Sequence, residues 1–455
     1  MAFRDVEMAF DSYEMAFRHY EMPSRIYELA QKNSTNSHVF LKKVQKKCIF
    51  ATMINILNKK KIVNDPVYGF INIPNERIFD LIEHRFVQRL RRIKQLGLSN
   101  LVYPGAEHTR FAHALGAMFL MNQALDVLRQ KSQIITDQEY DSSLSAILLH
   151  DIGHGPFSHC LEHFFFEESH EELSLKLMKM IGVSQITIDI FSNNYEKKFL
   201  HQLVSSQVDT DRLDYLTRDS FFTGVSEGVI GTERIIKMLS VANDELVIDQ
   251  KGIYSIEKFI ISRRLMYWQV YLHKAVIASD CLLLTILKRA RDISEKGVNI
   301  SESISPALRY FIENGRCSIN NECAVEMFTL LDDSDIWSAI KTWSLHNDKI
   351  LSYLSKSLIS RHVGKMIIQD KPFTEEDITG YIEKYDNKNS LTEQEIRRYF
   401  IISDEVKNKA YSFKDDKINI LFKNGEIKEI CDASDQLDKS FLSKEIKKYY
   451  LYQLA

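Results

Sequence analysis

Apolar residues along this chain recur mostly at helical spacing. Phe86, Leu90, Ile93 and Leu96 follow one another at three- and four-residue steps with Arg and Lys between them, the pattern of a helix with one inward face. The same periodicity predicts a helix over about 109–128 and another over 142–150 that stops at the glycine-rich turn after Asp151. Further helices are expected over 171–180, around 204–218 and over 256–294. Ahead of them, residues 61–73 carry β-branched side chains interrupted by Asp65-Pro66 and Gly69, which reads as a short hairpin. After about Ser301 the character shifts: helices continue to about 359, but 417–422 and 426–430 read as strands on either side of Asn424-Gly425. The expected fold is mostly α, a helical core with a small N-terminal β-hairpin and an α+β C-terminal region.

The first residues stand apart. Residues 1–7, 8–14 and 15–21 are near-copies of one heptapeptide, and 22–28 is a decayed fourth. A seven-residue period invites a coiled-coil reading, but the apolar positions are the first, second, third and sixth, which make no a/d seam. Tandem duplication in the coding DNA explains the copies better, and no chemistry is expected of them. The expected division is a repetitive tail over 1–38, a core over 39–300, and a C-terminal region over 301–455. No Gly/Ser-rich linker separates the last two, so the C-terminal region should pack on the core.

Composition narrows the function. With 7 Pro and 16 Gly among 455 residues, long helices are feasible and an all-β fold is not expected. A net charge of −3 argues against a protein whose main task is coating nucleic acid. The six cysteines lie far apart with no CxxC pair, as suits a reducing cytoplasm. Neither a secretory signal nor an apolar run long enough to span a bilayer is recognisable, so a soluble cytoplasmic protein without a membrane partner is expected.

The chemistry concentrates in His150-Asp-Ile-Gly-His-Gly-Pro-Phe-Ser-His159. The His-Asp pair ends an apolar helix, and Gly153, Gly155 and Pro156 then turn the chain so that two more histidines return to the same region. Three histidines and a carboxylate on an otherwise apolar element are costly in a core without partners. A hydrogen-bonded structural cluster is the plain alternative; a divalent metal explains the residue types better, since imidazole and carboxylate suit Mn, Fe, Co, Ni, Zn and, less well, Mg. Further ligands must come from elsewhere. His113 lies on the preceding apolar helix, and the segment from Val208 to Asp219 offers several carboxylates.

A histidine, then His-Asp, then a later Asp, all on helices, resembles the HD superfamily of metal phosphohydrolases. The likeness extends to Arg92-Ile-Lys-Gln-Leu-Gly97, Tyr103-Pro-Gly-Ala-Glu-His-Thr-Arg-Phe-Ala-His113 and Asp211-Arg-Leu-Asp-Tyr-Leu-Thr-Arg-Asp219. Together these are similar to the deoxynucleoside triphosphate triphosphohydrolases, over roughly residues 61–290. The resemblance implies His113, His150, Asp151 and Asp211 as metal ligands, with Asp209 the neighbour most easily confused with Asp211. It implies His170 as the acid/base or nucleophilic residue at the α-phosphate, oriented by Glu162. His154 and His159 would line the phosphate and base region. Arg110, Arg212 and Arg263 would clamp the triphosphate, although the family often has Lys at the position of Arg212. Gln95 and Asp219 would bind the 3′-hydroxyl, and Tyr215 and Tyr271 would pack the deoxyribose.

Two departures bear on regulation. Gln88 and Arg91 match residues of an activator-nucleotide pocket known in the family, but Glu83 stands where the family has a base-reading Asp, and Leu272 replaces a Gln near the substrate. A homo-oligomer, dimer or tetramer, is expected by analogy. The leading expectation is metal-dependent cleavage of a deoxynucleoside triphosphate to deoxynucleoside and triphosphate. The alternatives are a phosphohydrolase or phosphodiesterase acting on another nucleotide or a nucleic-acid end, and a nucleotide-sensing oligomer with little turnover.

Overall fold

A computed structural model of the chain describes residues 61–300, 304–385, 391–408, 417–437 and 446–454. The heptapeptide repeats and the expected start of the core before residue 61 lie outside the described residues. The expected hairpin is formed by β1 (Ile62–Asp65) and β2 (Gly69–Asn72), antiparallel, with Asp65 opposite Gly69. The Asp65 carboxylate accepts the N–H groups of Val67 and Tyr68 at 2.9 and 3.0 Å, and Gly69 supplies the positive φ of +72° that completes the turn.

α1 (Glu76–Glu83) and α2 (Arg85–Arg89) follow. The apolar periodicity over 86–96 does not produce one continuous helix. A single 3-10 turn at Leu90–Arg92 succeeds α2, and Ile93 is already extended. Outside partners compete for this backbone: Arg110 N–H bonds the Ile93 carbonyl at 2.9 Å, and the Asp333 carboxylate takes the Lys94 N–H at 2.9 Å. Tertiary partners override the local preference.

α3 (Arg110–Gln130) is buried on nearly every side and forms the centre of the bundle. Its length and hydropathy would suit a bilayer, but it is a core helix that packs along α4 (Asp137–Leu149). α4 starts five residues before the expected position, because Thr136 and Glu139 form a reciprocal capping box whose polar first turn hides from an apolar pattern. Next come α5 (Glu162–Phe165), α6 (His170–Ile181), α7 (Gln185–Phe191) and α8 (Lys198–Val204).

The helix expected around 204–218 is two. α8 ends at Val204, and α9 (Thr210–Thr223) begins after Asp209, whose carboxylate accepts from Arg212 N at 2.6 Å and Ser206 N at 2.7 Å. α10 (Thr232–Met238) leads into β3 (Leu239–Ala242) and β4 (Glu245–Asp249), paired around Asn243-Asp244. The run expected over 256–294 is also divided. α11 (Ile253–Met266) ends in a π turn at Tyr267–Tyr271, and the chain bends by 53° into α12 (Lys274–Glu295).

In the C-terminal third, α13 (Pro306–Asn314), α14 (Glu322–Phe328), α15 (Asp333–Trp343) and α16 (Lys349–Ile359) continue the helical layer, with α17 (Glu375–Glu383) and α18 (Glu393–Tyr399) beyond. Strands β5 (Lys365–Gln369), β6 (Ile401–Asn408) and, near the end, β9 (Ile446–Gln453) form an antiparallel sheet in the order β5-β9-β6. The expected hairpin at 417–430 forms as β7 (Asn419–Leu421) and β8 (Ile427–Glu429). Its β7 pairs in parallel with β4, making one sheet of β3-β4-β7-β8.

One buried cation ties this third to the helical core. Arg89, 1% exposed, donates from Nη1 to the carbonyls of Leu331 and Phe328 at 3.0 and 3.4 Å. Its Nη2 donates to the carbonyls of Ile152 and His154 at 2.9 and 2.8 Å. Burial lowers its pKa to about 10, which keeps it charged at neutral pH. Arg89→Leu would leave these buried carbonyls without their donor, each such group costing about 1–3 kcal/mol. The expected result is a loss of about 3 kcal/mol or more, read as a lower urea midpoint.

Candidate active site

Three helices remote in sequence deliver the four metal-ligand candidates to one point. His113 sits in the first turn of α3, His150 and Asp151 follow the last turn of α4, and Asp211 sits in the first turn of α9. His113 Nε2 lies 3.1 Å from Asp211 Oδ1 and 3.7 Å from Asp151 Oδ2. His150 Nε2 lies 3.3 Å from Asp151 Oδ1 and 3.4 Å from Asp211 Oδ1. The two Nε2 atoms face each other at 3.4 Å.

Whether a cation fits is decided by the outer nitrogens. His150 Nδ1 lies 2.6 Å from the Ile147 carbonyl, which can only accept, so Nδ1 carries the hydrogen. His113 Nδ1 lies 2.7 Å from Asp214 Oδ2 and donates to it in the same way. Each ring thus turns its Nε2 toward the other and toward two carboxylates, and in the neutral form that metal ligation requires each Nε2 offers a lone pair. Such a gathering of acceptors is repulsive in a buried space unless positive charge lies between them. Burial alone would lower the His113 pKa, yet the bonds to Asp211 and Asp214 raise it to about 10. Asp151 runs the other way: burial would raise it, but His150, Arg110 and His113 hold it down to about 2. These residues fit a divalent cation, and the mixed N/O set suits Mn, Fe, Co, Ni, Zn or, less well, Mg.

The turn after Asp151 brings in the remaining histidines. A Cβ on Gly153 would stand 2.1 Å from the His170 carbonyl and 2.6 Å from Ser174 N, so only glycine lets α6 approach this closely. Phe157 and Ser158 both adopt left-handed backbone, at φ +57° and +55°. They are held there by Asp333, which accepts the Phe157 N–H at 2.9 Å, and by Ser158 Oγ, which donates to the Lys94 carbonyl at 2.9 Å. Arg110 completes the brace, its Nε donating to Ser158 Oγ at 2.8 Å and its Nη1 pairing with Asp151 Oδ2.

His154, His159 and His170 gather on this turn. The His154 ring stacks on His170 with centroids 3.9 Å apart, and its Nε2 lies 3.5 Å from Asp151 Oδ1. Burial, reinforced by Arg110 and the neighbouring histidines, pushes the His154 pKa well down, so it is neutral. Glu162 accepts from His170 Nδ1 at 2.6 Å and from the His170 N–H at 3.0 Å, while its other oxygen lies 3.1 Å from His159 Nδ1. Burial would raise Glu162, but these bonds from His159 and His170 hold it well below the usual carboxylate range. The carboxylate thereby fixes the His170 tautomer, with the hydrogen on Nδ1 and Nε2 left as the acceptor nitrogen.

α9 forms a third wall. Tyr215 and Asp219 follow Asp211 at four-residue steps on one helix face. Asp219 is buried between His108 Nε2 at 2.8 Å and the Tyr271 hydroxyl, which donates at 2.7 Å. Tyr271 ends the π turn, and its ring meets Tyr215 edge-on at 6.3 Å. Burial raises the Tyr215 phenol, against the opposing charges of Arg212 and Arg263. Arg212 Nε donates to the Ser206 carbonyl at 2.7 Å, and Arg263 Nη1 to Gln207 Oε1 at 3.1 Å, so both guanidinium groups border the 205–209 loop. Gln95 bonds the His108 carbonyl through its backbone at 3.0 Å, and its side-chain Oε1 is buried without a hydrogen-bond partner among the described residues. Gln88 and Arg91 form a separate pair: Arg91 Nε donates to Gln88 Oε1 at 2.8 Å and its guanidinium lies 3.6 Å over the Phe111 ring.

Several residues of this site were not singled out from the sequence. Asp214 could have been, since three residues beyond Asp211 on a helix is the same face. Ser158, Ser174 and His108 carry no pattern of their own. Asp333 lies 176 residues beyond the loop it holds, and nothing local announces that contact.

Residues 230–302, which include Arg263 and Tyr271, match the family model of the HD associated region. The uncharacterized protein YwfO of Bacillus subtilis is 33% identical over 397 residues, covering 83% of this chain and 88% of that one. A crystal structure of a phosphohydrolase from Bacteroides thetaiotaomicron superposes with a TM-score of 0.84 at 50% identity, covering 87% of this chain and all of that one. The deoxynucleoside triphosphate triphosphohydrolase SAMHD1 homolog of Dictyostelium discoideum is 31% identical over 239 residues, which is 47% of this chain and 46% of that protein. The helical core is that of a phosphohydrolase. The chain belongs to the HD-domain phosphohydrolases, in the family that includes the deoxynucleoside triphosphate triphosphohydrolases.

The converging acceptors predict one tightly held divalent cation per chain. Replacing His150 and Asp151 together by Ala should abolish that stoichiometry in metal analysis while leaving the far-UV circular dichroism helical. Retained metal in the double variant would remove these residues from the ligand set.

Proposed function

We propose that this hydrolase cleaves deoxynucleoside triphosphates to a deoxynucleoside and intact triphosphate. The observation that carries the substrate class is the Tyr271 hydroxyl held by Asp219 at 2.7 Å beside Tyr215. Tyr215 and Asp219 lie roughly 6 and 12 Å along α9 from Asp211, the reach from a reacting phosphate to its sugar. Two aromatic rings locked there leave little room for a 2′-hydroxyl, while Asp219 and the unpartnered Gln95 Oε1 offer acceptors to a 3′-hydroxyl. The names of relatives such as the Dictyostelium discoideum protein favour the same reading.

In this reading His113, His150, Asp151 and Asp211 hold a divalent cation that supplies Lewis acidity toward a phosphate oxygen and toward water. His170, with Nδ1–H committed to Glu162, exchanges a proton at Nε2 with the reacting groups at the α-phosphate. His154, neutral and stacked on His170, and His159, sharing Glu162, line the phosphates. Arg110, Arg212 and Arg263 offset the triphosphate charge, where fixed cationic donors are most effective in a site that excludes water. Water adding at the α-phosphorus breaks the Pα–O5′ bond, its proton is taken up and one is delivered to the leaving 5′-oxygen, so that the deoxynucleoside departs and the triphosphate is released whole. Gln88 and Arg91 are proposed as contacts to an activator nucleotide, and a dimer or tetramer as the working assembly.

The test is incubation of the protein and Mn²⁺ or Mg²⁺ with an equimolar mixture of deoxynucleoside triphosphates, alongside the matched ribonucleotides, with products separated by ion-pair chromatography. Deoxynucleosides and triphosphate are expected. No turnover, with metal bound and candidate activator nucleotides present, would transfer the site to another phosphorylated substrate or to ligand sensing. His170→Ala should keep metal occupancy while lowering turnover ~100-fold or more, the usual scale for a positioned acid/base. Unchanged turnover would assign that role elsewhere.

A further inference from the structure

His113 is held from behind by a buried ionic chain that reaches the N-terminal hairpin. Asp214 Oδ2 accepts from His113 Nδ1 at 2.7 Å and from Arg218 Nε at 2.9 Å, and Asp214 Oδ1 accepts from Arg218 Nη2 at 3.0 Å. Arg218 Nη1 then donates to Asp65 Oδ2 at 2.8 Å. His113, Asp214 and Arg218 are fully buried and Asp65 is 6% exposed. Asp65 is the residue that also closes the β1–β2 turn.

Two features mark this as more than a packing ion pair. The Arg218 fork engages both oxygens of Asp214, so the carboxylate cannot rotate away from the imidazole. The opposing helix is also cut back to admit the pair: a Cβ on Gly116 would stand 2.0 Å from Asp214 Oδ1 and 2.2 Å from Arg218 Nη2. Replacing a buried ion pair by packed apolar groups is often no less stable, so its stability value alone explains it poorly.

We propose that Arg218 is a positioning residue for the metal centre, orienting His113 through Asp214, and that Asp65 anchors Arg218 from the hairpin. The inference rests on His113 being a metal ligand. Arg218 does not touch the site. It fixes the carboxylate that sets the direction of the imidazole ring, the kind of support whose loss weakens metal binding ~10–100-fold.

The measurement is divalent-metal affinity, by competition between the apoprotein and a chromophoric chelator for Mn²⁺ and Co²⁺, with thermal unfolding in parallel. Arg218→Gln should weaken the metal ~10-fold or more, Arg218→Lys should recover part of the loss, and Asp65→Asn should weaken it ~3-fold. The control is Asp348→Asn, which breaks the Arg289–Asp348 pair at 2.6 Å in the C-terminal third. It should lower the unfolding temperature and leave metal affinity unchanged. Wild-type affinity in folded Arg218→Gln would overturn the proposal. Where that variant does not fold, wild-type affinity in Asp65→Asn overturns it. A wild-type protein that binds no divalent metal would overturn the metal reading itself and this inference with it.

Discussion

The structure turns on an electrostatic conflict. Two imidazole Nε2 atoms face each other inside a helical bundle, each within 4 Å of two carboxylates, where little solvent screens them. A fold tolerates such a concentration of acceptors only if each is fixed from behind and a positive charge is admitted in front. Each is fixed: Ile147 and Asp214 take the outer nitrogens of the histidines, Arg110 neutralises Asp151, and the first turn of α9, capped by Asp209, carries Asp211. The bundle is thus the frame of the proposed cation site, and its specificity for charge would follow from hydrogen-bond direction rather than from net charge.

The second demand is proximity between that site and His170, the proposed proton-handling group. The turn after Asp151 meets it by close backbone approach, with Gly153 against α6 and Gly155 against Phe328. The left-handed Phe157 and Ser158 are stabilised by contacts from three separate places, Asp333, Lys94 and Arg110. The histidines therefore sit on a loop that is irregular in conformation but buried and braced, which suits groups that must hold a geometry.

Much of this was legible in the sequence because it is local. The His-Asp pair, the glycines of the turn and the apolar helices before it are read from a window of a few residues, and α3 and α4, two of the three helices that carry the ligand candidates, follow from periodicity. Where the sequence reading failed, the cause was long-range or polar. The 86–96 run breaks because Arg110 and Asp333 claim its backbone. The 204–218 and 256–294 runs break at an Asp cap and at a π turn, neither of which interrupts an apolar pattern. The β5-β9-β6 sheet escaped because β9, Ile446-Lys-Lys-Tyr-Tyr-Leu-Tyr-Gln453, shows no regular alternation. Asp214 lay within reach of a helical-wheel argument; Asp333 did not.

The clamp made by Arg89 and Asp333 has a consequence for how this molecule can be divided. Every residue with a proposed chemical task lies at or before Tyr271, so a map of motifs would place a self-sufficient catalytic module in the first two thirds of the chain. The backbone of the turn that carries His154 and His159 is nonetheless held by a carboxylate from the start of α15, and the guanidinium that grips it also grips the end of α14. Motif boundaries and folding boundaries do not coincide here. A fragment cut where the motifs end would keep its full inventory of functional side chains and lose the mould that gives them their shape.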